Sequence, residues 1–305
     1  MKRSTVRVTV RLAMGLCFAS LTGLAGEPAK AAAPPPPPPP PKGTVLYFSF
    51  DKAESGNVPD KSGSNNTGHI TGAKWTAAGK LGGGCEFSGK GDYIQVADSE
   101  SLHMKQGTFI AWFKTSKSDT IWRRILDKRA ERGFALAIAG DAAGMQSKGK
   151  LAFTVNGCTP CLSDNTVVDG SWHHAAATFD GENLRLYVDG VLQKAVVPMK
   201  GEIVATHEPL TIGQNRYNPT PLENDQSFEG TLDEIMLVNR ALSAEEIKAM
   251  IAVVIAADPV AAASKPKFTK QQVAGRLREL KYLFEQGLLT EDFYARKVAE
   301  CEAAQ

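Results

Sequence analysis

The sequence predicts an all-β protein, a two-sheet antiparallel jelly-roll sandwich, followed by a small C-terminal α-helical hairpin. Two observations support this prediction. Between Thr44 and Asn239, short runs of β-branched and aromatic residues are separated by Gly, Asn and Asp turns. After Ser243 the apolar residues recur at helical spacing instead. Roughly ten strands in about 200 residues are enough to form two sheets around a full-sized core.

The strands are predicted from their length and their bounding turn residues. In Leu184–Val188 apolar side chains alternate with polar ones, and Asp189-Gly190 then supplies the positive φ angles of a two-residue hairpin. Asp180-Gly181 has the same role one strand earlier, so three consecutive strands form a meander. The other predicted strands are Val45–Phe50, Tyr93–Val96, Thr108–Phe113, Gly133–Ala139, Lys150–Val155, Trp172–Phe179, Val191–Val197 and Leu232–Val238.

The first 43 residues are predicted to be an export signal and a spacer. Basic residues precede an apolar run, Leu12–Leu24, and small residues follow to Ala33, the pattern of a secretory signal peptide over residues 1–33. An uncleaved membrane anchor is the alternative. Residues 34–43 are rich in proline and predict an extended polyproline linker. We therefore expect a secreted, periplasmic or cell-surface protein.

The charge balance argues against a nucleic-acid partner. The chain carries 35 basic and 33 acidic residues, a net charge of +2. The sandwich region lacks the clusters of Lys and Arg interleaved with aromatic residues that nucleic-acid binding requires. Neutral partners are favoured.

Two helical segments are predicted near the C-terminus. Ser243 and Glu246 have the spacing of a capping box for a helix that closes the sandwich and ends the domain at residue 255. Residues 256–267 form an Ala- and Pro-rich linker. In residues 268–305, Thr269 and Thr290 cap two short helices. So small a hairpin needs a protein partner or a copy of itself to be stable.

Eight segments of the predicted sandwich together form a family pattern. They are Tyr47–Asp51, Asp60–Gly68, Gly89–Ile94, Phe109–Phe113, Trp172–His174, Tyr187–Gly190, Phe228–Ile235 and Asn239–Ser243. With these segments, residues 44–255 resemble the laminin-G-like, concanavalin A-like lectin/glucanase domains. The resemblance implies a jelly roll that binds carbohydrate, a protein partner or calcium, or that accompanies an enzyme. Residues 280–293 resemble the short C-terminal domain family SHOCT, which implies oligomerisation or docking.

Calcium is the cofactor that this resemblance suggests. Similar domains bring the first strand, its following loop and the last strand together, which places Asp51, Asp60, Asn65 and Asp233 as candidate ligands. Carboxylate, amide and carbonyl oxygens are the ligands that calcium prefers. The alternative is that these side chains only shape turns through bonds to the backbone.

Carbohydrate, such as a cell-surface glycan, is the predicted ligand, and two loops have suitable side chains. Asn215, Arg216, Tyr217 and Asn218 form a polar loop with one aromatic ring, and Trp122 lies beside two arginines in another. Both segments are also compatible with ordinary solvated loops.

The cysteines suggest one disulfide. Cys158 and Cys161 are separated by two residues in a chain that we predict to be exported, and we expect them to pair. A zinc half-site completed by His173 and His174 is the alternative. Cys85 and Cys301 are expected to be free or intermolecular.

We expect no catalytic activity. His173 and His174 lie next to each other on a predicted strand, so their side chains point to opposite faces. Glu223, Asp225 and Glu229 are similar in spacing to the acids of some concanavalin-fold glycosidases, and they define the alternative function, a polysaccharide-active hydrolase. The run lacks the alternation of a buried strand, so we interpret it as a loop.

Overall fold

In the computed structural model, the described residues are 39–52, 56–129, 132–141, 146–215, 226–257, 270–286, 294, 297 and 298. The chain divides into two compact units, Met1–Pro35 and Pro36–Gln305. All described residues belong to the second unit. The predicted signal peptide and the first half of the proline linker, residues 34–38, therefore lie outside the described residues.

The described chain consists mainly of short strands. Two α-helices, α1 (Ala244–Ala257) and α2 (Lys270–Glu285), follow the last strand. The strands are β1 (Thr44–Phe48), β2 (Asn57–Val58), β3 (Gly68–Thr71), β4 (Lys74–Thr76), β5 (Gly84–Ser88), β6 (Tyr93–Val96), β7 (Gly107–Lys114), β8 (Arg123–Arg129), β9 (Gly133–Ile138), β10 (Lys150–Val155), β11 (Cys161–Thr166), β12 (Trp172–Phe179), β13 (Asn183–Val188), β14 (Val191–Pro198), β15 (Leu210–Ile212) and β16 (Glu229–Val238).

The strands form two eight-stranded sheets, and every described pairing is antiparallel. Sheet A has the order β14-β13-β12-β7-β16-β5-β4, with β1 also paired to β16. Sheet B has the order β11-β10-β9-β8-β15-β6-β3-β2. Sequence neighbours are often not sheet neighbours, as expected for a jelly roll. The predicted fold class is confirmed.

The main core lies between the two sheets and is aromatic at its centre. The ring of Phe109 on β7 lies 4.4 Å from that of Phe134 and 4.9 Å from that of Phe153, both in sheet B, measured between centroids. Phe48 and Phe113 are also fully buried. Because side chains alternate along a strand, each strand supplies every second residue to this layer.

A second apolar cluster covers the outer face of sheet A. Ile110, Trp112 and Met236 point away from the main core and pack with Ile247 and Ile251 of α1. The capping box is confirmed. Ser243 Oγ accepts a hydrogen bond from the Glu246 amide at 3.2 Å, and Glu246 Oε2 accepts one from the Ser243 amide at 2.9 Å.

Both turns of the meander lie where the sequence predicts them, but only the second is the predicted two-residue hairpin. In the first, Gly181 has a positive φ and Asp180 does not, and three residues connect β12 to β13. Asp189 and Gly190 have φ angles of 51° and 77°, which match the type of two-residue hairpin that the sequence predicts. Asp180 Oδ1 accepts hydrogen bonds from the amides of Glu182 and Asn183 and closes the other turn. Together β12, β13 and β14 form the edge of sheet A.

Several strands were not predicted, and their composition explains why. β8 contains Arg124, Asp127 and Arg129, which would be expected on a solvated loop. In the structure Asp127 is fully buried and lies 3.0 Å from Arg129 and 3.3 Å from Arg124, so ion pairing compensates for its burial. The other unpredicted strands, β2, β3, β4, β5, β11 and β15, have at most six residues.

Only part of the predicted C-terminal hairpin is described. Helix α2 is present, and the ring of Phe284 stacks on that of Tyr294 with centroids 4.6 Å apart. Residues 287–293 lie outside the described residues, so the second helix and self-association stay predictions. Within the described part of the chain, no helix has the length and apolar character needed to cross a membrane.

Candidate ligand-binding cleft

A cleft opens where two strands share one edge of β16. β1 pairs with Ile235–Val238 of β16, and β5 pairs with Glu229–Leu232 on the same edge. Asp233 and Glu234 lie between these two pairings; at this point the register of β16 against β7, on its other edge, also shifts, and Glu234 adopts a φ of 49°. This β-bulge bends β16 and separates the end of β1 from the start of β5.

The cleft fills that gap and lies between the edge strands of both sheets. Its volume is about 250 Å³, which is at the small end of the range for ligand pockets. We call it the Trp75 cleft. Its lining residues are Ser49, Phe50, Asp51, Lys52, Asn57, Val58, Pro59, Lys61, Ile70, Trp75, Gly84 and Cys85.

Trp75 is the aromatic side chain of the cleft. It is 40 % exposed, although its Nε1 donates a 2.8 Å hydrogen bond to the carbonyl oxygen of Phe50. A Cβ at Gly83 would lie 2.5 Å from Nε1 and 2.3 Å from that carbonyl oxygen, so only glycine leaves room for this contact. The indole is thus fixed by its edge while much of its surface faces solvent.

Polar side chains also line the cleft. Asp51 Oδ2 accepts hydrogen bonds from Ser49 Oγ and Lys61 Nζ, both at 2.6 Å, and Lys61 also donates to Ser49. The side chains of Lys61 and Asp51 are 46 % and 41 % exposed. A carboxylate, an ammonium group and a hydroxyl are therefore available to a ligand within one cleft.

The bulge behind the cleft contains two buried acids. Asp233 Oδ2 accepts hydrogen bonds from the amides of Lys80 and Leu81 at 2.8 and 2.9 Å, and Oδ1 accepts one from Glu234. These bonds fix the loop that leads into β5. Burial raises the pKa of Asp233 to about 8, despite the opposing amide bonds. Burial likewise raises the pKa of Glu234 to about 7, although the Tyr47 hydroxyl donates to it at 2.8 Å.

Two of the predicted sugar-binding residues meet in space at another place. The Arg124 guanidinium lies 5.9 Å from the ring of Trp122, and its Nε donates a 2.7 Å hydrogen bond to Gln226 Oε1. Asn215 Nδ2 lies 3.3 Å from the same oxygen. We call these four residues the Trp122 patch. Arg216, Tyr217 and Asn218 lie outside the described residues.

The four candidate calcium ligands do not converge. Both oxygens of Asp60 accept hydrogen bonds from backbone amides, those of Tyr47, Ser62 and Asn66. Asp233 also binds amides and Asp51 binds Lys61, so their oxygens face hydrogen-bond donors. Asn65 is exposed, with a φ of 60° typical of a turn. In the described part of the chain, Asp51, Asp60 and Asp233 form no cluster with metal-binding spacing. Calcium binding by these residues stays a prediction.

The predicted disulfide is not formed. Among the cysteines that the structure describes, Cys85, Cys158 and Cys161 are all free. Cys161 is buried on β11 with its sulfur 3.1 Å from the Ala195 carbonyl oxygen, whereas the Cys158 sulfur lies 3.4 Å from the carbonyl oxygen of Thr159 in the preceding turn. The two thiols are thus held by different neighbours. Cys301 lies outside the described residues.

The acids of the alternative hydrolase are only partly described. Glu223 and Asp225 lie outside the described residues. Glu229 begins β16, is exposed, and lies 3.6 Å from Lys117 Nζ. His173 and His174 point to opposite faces as predicted: His173 contacts Asp169 and Asp189, and His174 is buried beside Trp112.

Sequence reasoning missed Trp75 and Lys61. Trp75 lies on a three-residue strand, too short for an alternation pattern. Lys61 directly follows Asp60, which the sequence predicts as a calcium ligand. The available signal was the aromatic side chain itself, in a short segment bounded by Gly72 and Gly79.

The fold and the cleft define a jelly roll of the lectin type, and comparison with known proteins gives the family. The laminin-G family model of the concanavalin A-like lectin/glucanases superfamily matches residues 88–248, just over half of the chain. The chain therefore belongs to this family. A comparison with curated proteins found no match.

Solved structures confirm the fold at low sequence identity. Domain 4 of an extracellular arabinanase from Geobacillus stearothermophilus, solved with arabinotriose, has 17 % identity and a TM-score of 0.54, with 68 % of this chain and 98 % of that one covered. The binding domain of Paraclostridial mosquitocidal protein 1 has 16 % identity and a TM-score of 0.53, with 68 % and 52 % covered.

A third similar structure comes from botulinum neurotoxin type C, whose cell entry is described as dependent on two ganglioside molecules. It has 14 % identity and a TM-score of 0.53, with 70 % of this chain and 51 % of that one covered. The chain thus spans about half the length of the toxin fragments it matches. At these identities the likeness shows the fold and not the ligand.

Proposed function

We propose that the chain is an exported, non-catalytic module that binds carbohydrate, and that the Trp75 cleft is its glycan site. The observation that carries the proposal is the partly exposed indole of Trp75, fixed by its edge, in one cleft with the side chains of Asp51, Lys61 and Ser49. Family membership supports a binding role, because lectins belong to this superfamily.

The chemistry of the cleft matches that of a sugar. A pyranose or furanose ring has an apolar face of C–H groups and an edge of hydroxyl groups. The indole face can cover the apolar side, because Trp combines a large apolar surface with a polar edge. The carboxylate of Asp51 accepts bonds from hydroxyls, and the ammonium of Lys61 donates to them. A cleft of about 250 Å³ suits one or two sugar units rather than a long chain.

The similar structures support the same ligand class. One was solved with arabinotriose, and another is described as dependent on gangliosides, which carry sugar head groups. Export is proposed from the N-terminal sequence, and it would place the module where glycans are found.

A glycan array tests the proposal. The full chain and its Trp75→Ala variant are applied to the array, and both are then titrated with the best ligand. We expect affinity to fall about tenfold or more on loss of the indole, equivalent to about 1.4 kcal/mol. Trp122→Ala is the matched control and should bind as wild type. Equal binding by the wild type and Trp75→Ala would overturn the cleft as the site.

Further measurements separate glycan binding from the alternative functions. Calcium dependence stays a prediction, and an array with a chelator tests it. Release of reducing sugar by the wild type that is lost in Glu229→Gln would show a hydrolase instead of a binding module. An array without any binding, combined with capture of a protein partner, would favour an adhesion or envelope subunit.

A further inference from the structure

Three potential metal ligands meet at one end of sheet B, away from the Trp75 cleft. Asp98 follows β6, His103 follows the 3₁₀ turn Glu100–Leu102, and His207 precedes β15. β6 and β15 are antiparallel neighbours, with Val96 opposite Leu210, so the end of one strand lies beside the start of the other. Segments more than 100 residues apart in sequence are thereby brought together.

The spacing of the ligand atoms matches a tetrahedral metal site. His103 Nε2 lies 3.0 Å from each oxygen of Asp98, and His207 Nδ1 lies 3.3 Å from Asp98 Oδ2. One ligand atom from each residue lies within 4.8 Å of the others. With metal bonds of about 2.0–2.1 Å, tetrahedral geometry puts ligand atoms roughly 3.3 Å apart. Small rotations of these side chains would therefore place one ion between all three.

The surrounding groups hold two of the ligands in place. The buried ammonium of Lys128 donates to Asp98 Oδ1 at 2.7 Å, which leaves Oδ2 on the side of the histidines. The same ammonium donates to the carbonyl oxygens of Thr206 and Glu208, the two neighbours of His207. Lys128 thus fixes both Asp98 and the loop that carries His207.

An outer carboxylate completes the pattern. Nδ1 of His103, the nitrogen that faces away from Asp98, lies 3.4 Å from Glu100 Oε2. Histidines that bind metals commonly donate their second ring nitrogen to a carboxylate, which fixes the tautomer and the ring orientation. The position of Glu100 is therefore that expected of an outer partner.

His173 shows how an ordinary ion pair differs from this cluster. It also contacts two carboxylates, Asp189 through Nδ1 at 2.9 Å and Asp169 through Nε2 at 3.2 Å. These carboxylates face opposite nitrogens of one ring, so no single ion can bind both along with the imidazole. In the Asp98 cluster a second imidazole joins the carboxylate, because His207 Nδ1 lies 3.3 Å from Asp98 Oδ2, the same oxygen that lies 3.0 Å from His103 Nε2.

We propose that Asp98, His103 and His207 bind a divalent transition-metal ion of the zinc type, with water completing the coordination. Two imidazoles and one carboxylate are ligands that such ions prefer over calcium. The exposed side of the site, where the His207 side chain is 84 % accessible, provides the entry path and the open position.

The full chain, first stripped with a chelator, is titrated with Zn²⁺ by calorimetry and compared with His207→Ala. We expect one site in the wild type and a loss of affinity of tenfold or more in the variant. His207 is exposed, so its removal leaves the fold intact. His173→Ala is the matched control and should bind zinc as the wild type does.

Three outcomes would overturn the proposal. The first is the absence of zinc binding by the wild type, and the second is equal binding by the wild type and His207→Ala. The third is loss of binding in Cys158→Ser instead, which would place the ion at Cys158 and Cys161. As an independent readout, zinc should raise the melting temperature of the wild type and of His173→Ala but not that of His207→Ala.

Discussion

The Trp75 cleft and the Trp122 patch use similar residues in different ways. Each contains a tryptophan, a cationic side chain and amide or carboxylate oxygens. In the patch, the Arg124 guanidinium lies over the Trp122 ring and Gln226 binds both Arg124 and Asn215. In the cleft, Trp75 is held by its edge and is 40 % exposed, and the side chains of Asp51 and Lys61 line the same volume of about 250 Å³.

This difference shows that composition does not identify a binding site. In the patch the Arg124 side chain is buried by its contacts, so a ligand would have to displace them before it gained its own. In the cleft Asp51 and Lys61 also bond to each other, but both stay nearly half exposed, as does the indole, so a ligand can reach them without displacing those bonds. We therefore assign the glycan to the cleft, although the sequence pointed to the patch.

The largest expected effect comes from Gly83→Ala, which displaces the indole of Trp75. In Gly83→Ala the added Cβ would lie 2.3 Å from the Phe50 carbonyl oxygen and 2.5 Å from Trp75 Nε1, so the indole must move. We expect glycan affinity to fall at least as far as in Trp75→Ala and the free energy of unfolding to fall by about 1–3 kcal/mol. Calorimetry and urea denaturation measure both.

Gly275→Ala is the control for this substitution, because a Cβ there has nothing within 4 Å. It should leave glycan affinity unchanged. Wild-type affinity in Gly83→Ala would show that the position of Trp75 is irrelevant to binding.

An intermediate effect concerns pH. Burial raises the pKa of Asp233 to about 8 in the folded chain. The unfolded chain releases this proton near pH 4. Below pH 4 both the folded and the unfolded state hold the proton, and the contribution of Asp233 to the free energy of unfolding is largest. Between pH 4 and pH 8 only the folded state holds the proton, so this contribution falls as the pH rises. The free energy of unfolding should therefore decline over this range, by up to about 1.4 kcal/mol per pH unit for each retained proton.

Asp233→Asn should flatten this decline, and urea denaturation at a series of pH values measures it. The exposed Asp141 provides the control, since Asp141→Asn should keep the wild-type profile. Glu234 adds a smaller decline of the same sign, because burial raises its pKa to about 7. Identical profiles for the wild type and Asp233→Asn would contradict the assignment of a raised pKa to this acid, which fixes the loop behind the cleft.

The smallest expected effect on stability comes from Lys61→Met. The ion pair with Asp51 is nearly half exposed, so its loss should change the free energy of unfolding by no more than about 0.5 kcal/mol. Glycan affinity should nevertheless fall several-fold, because the ammonium faces the cleft. Lys105→Met removes a comparable exposed ion pair, with Glu202, and should affect neither quantity. Unchanged glycan affinity in Lys61→Met would show that the ammonium of Lys61 does not contribute to glycan binding.

Much of the fold could be predicted from local pattern. The hairpin at Asp189 and Gly190 and the capping box of Ser243 depend on residues within a few positions of one another, and both are confirmed. β8 could not be predicted, because Asp127 is buried only through the partners that the fold supplies. The candidate calcium ligands show the opposite case. Their residue types suit calcium, but the folded chain turns Asp60 and Asp233 towards backbone amides.

The sequence alone determined the class of protein, since alternation, turn residues and caps are encoded within short segments. Only the tertiary structure decided where ligands can bind. The Trp75 cleft arises because β1 and β5 meet the same edge of β16 at a bulge, and the Asp98 cluster arises because β6 and β15 are neighbours in sheet B. Both depend on strand pairings between distant segments. No spacing along the chain specifies those pairings, because they are fixed only when the two sheets close on their common core.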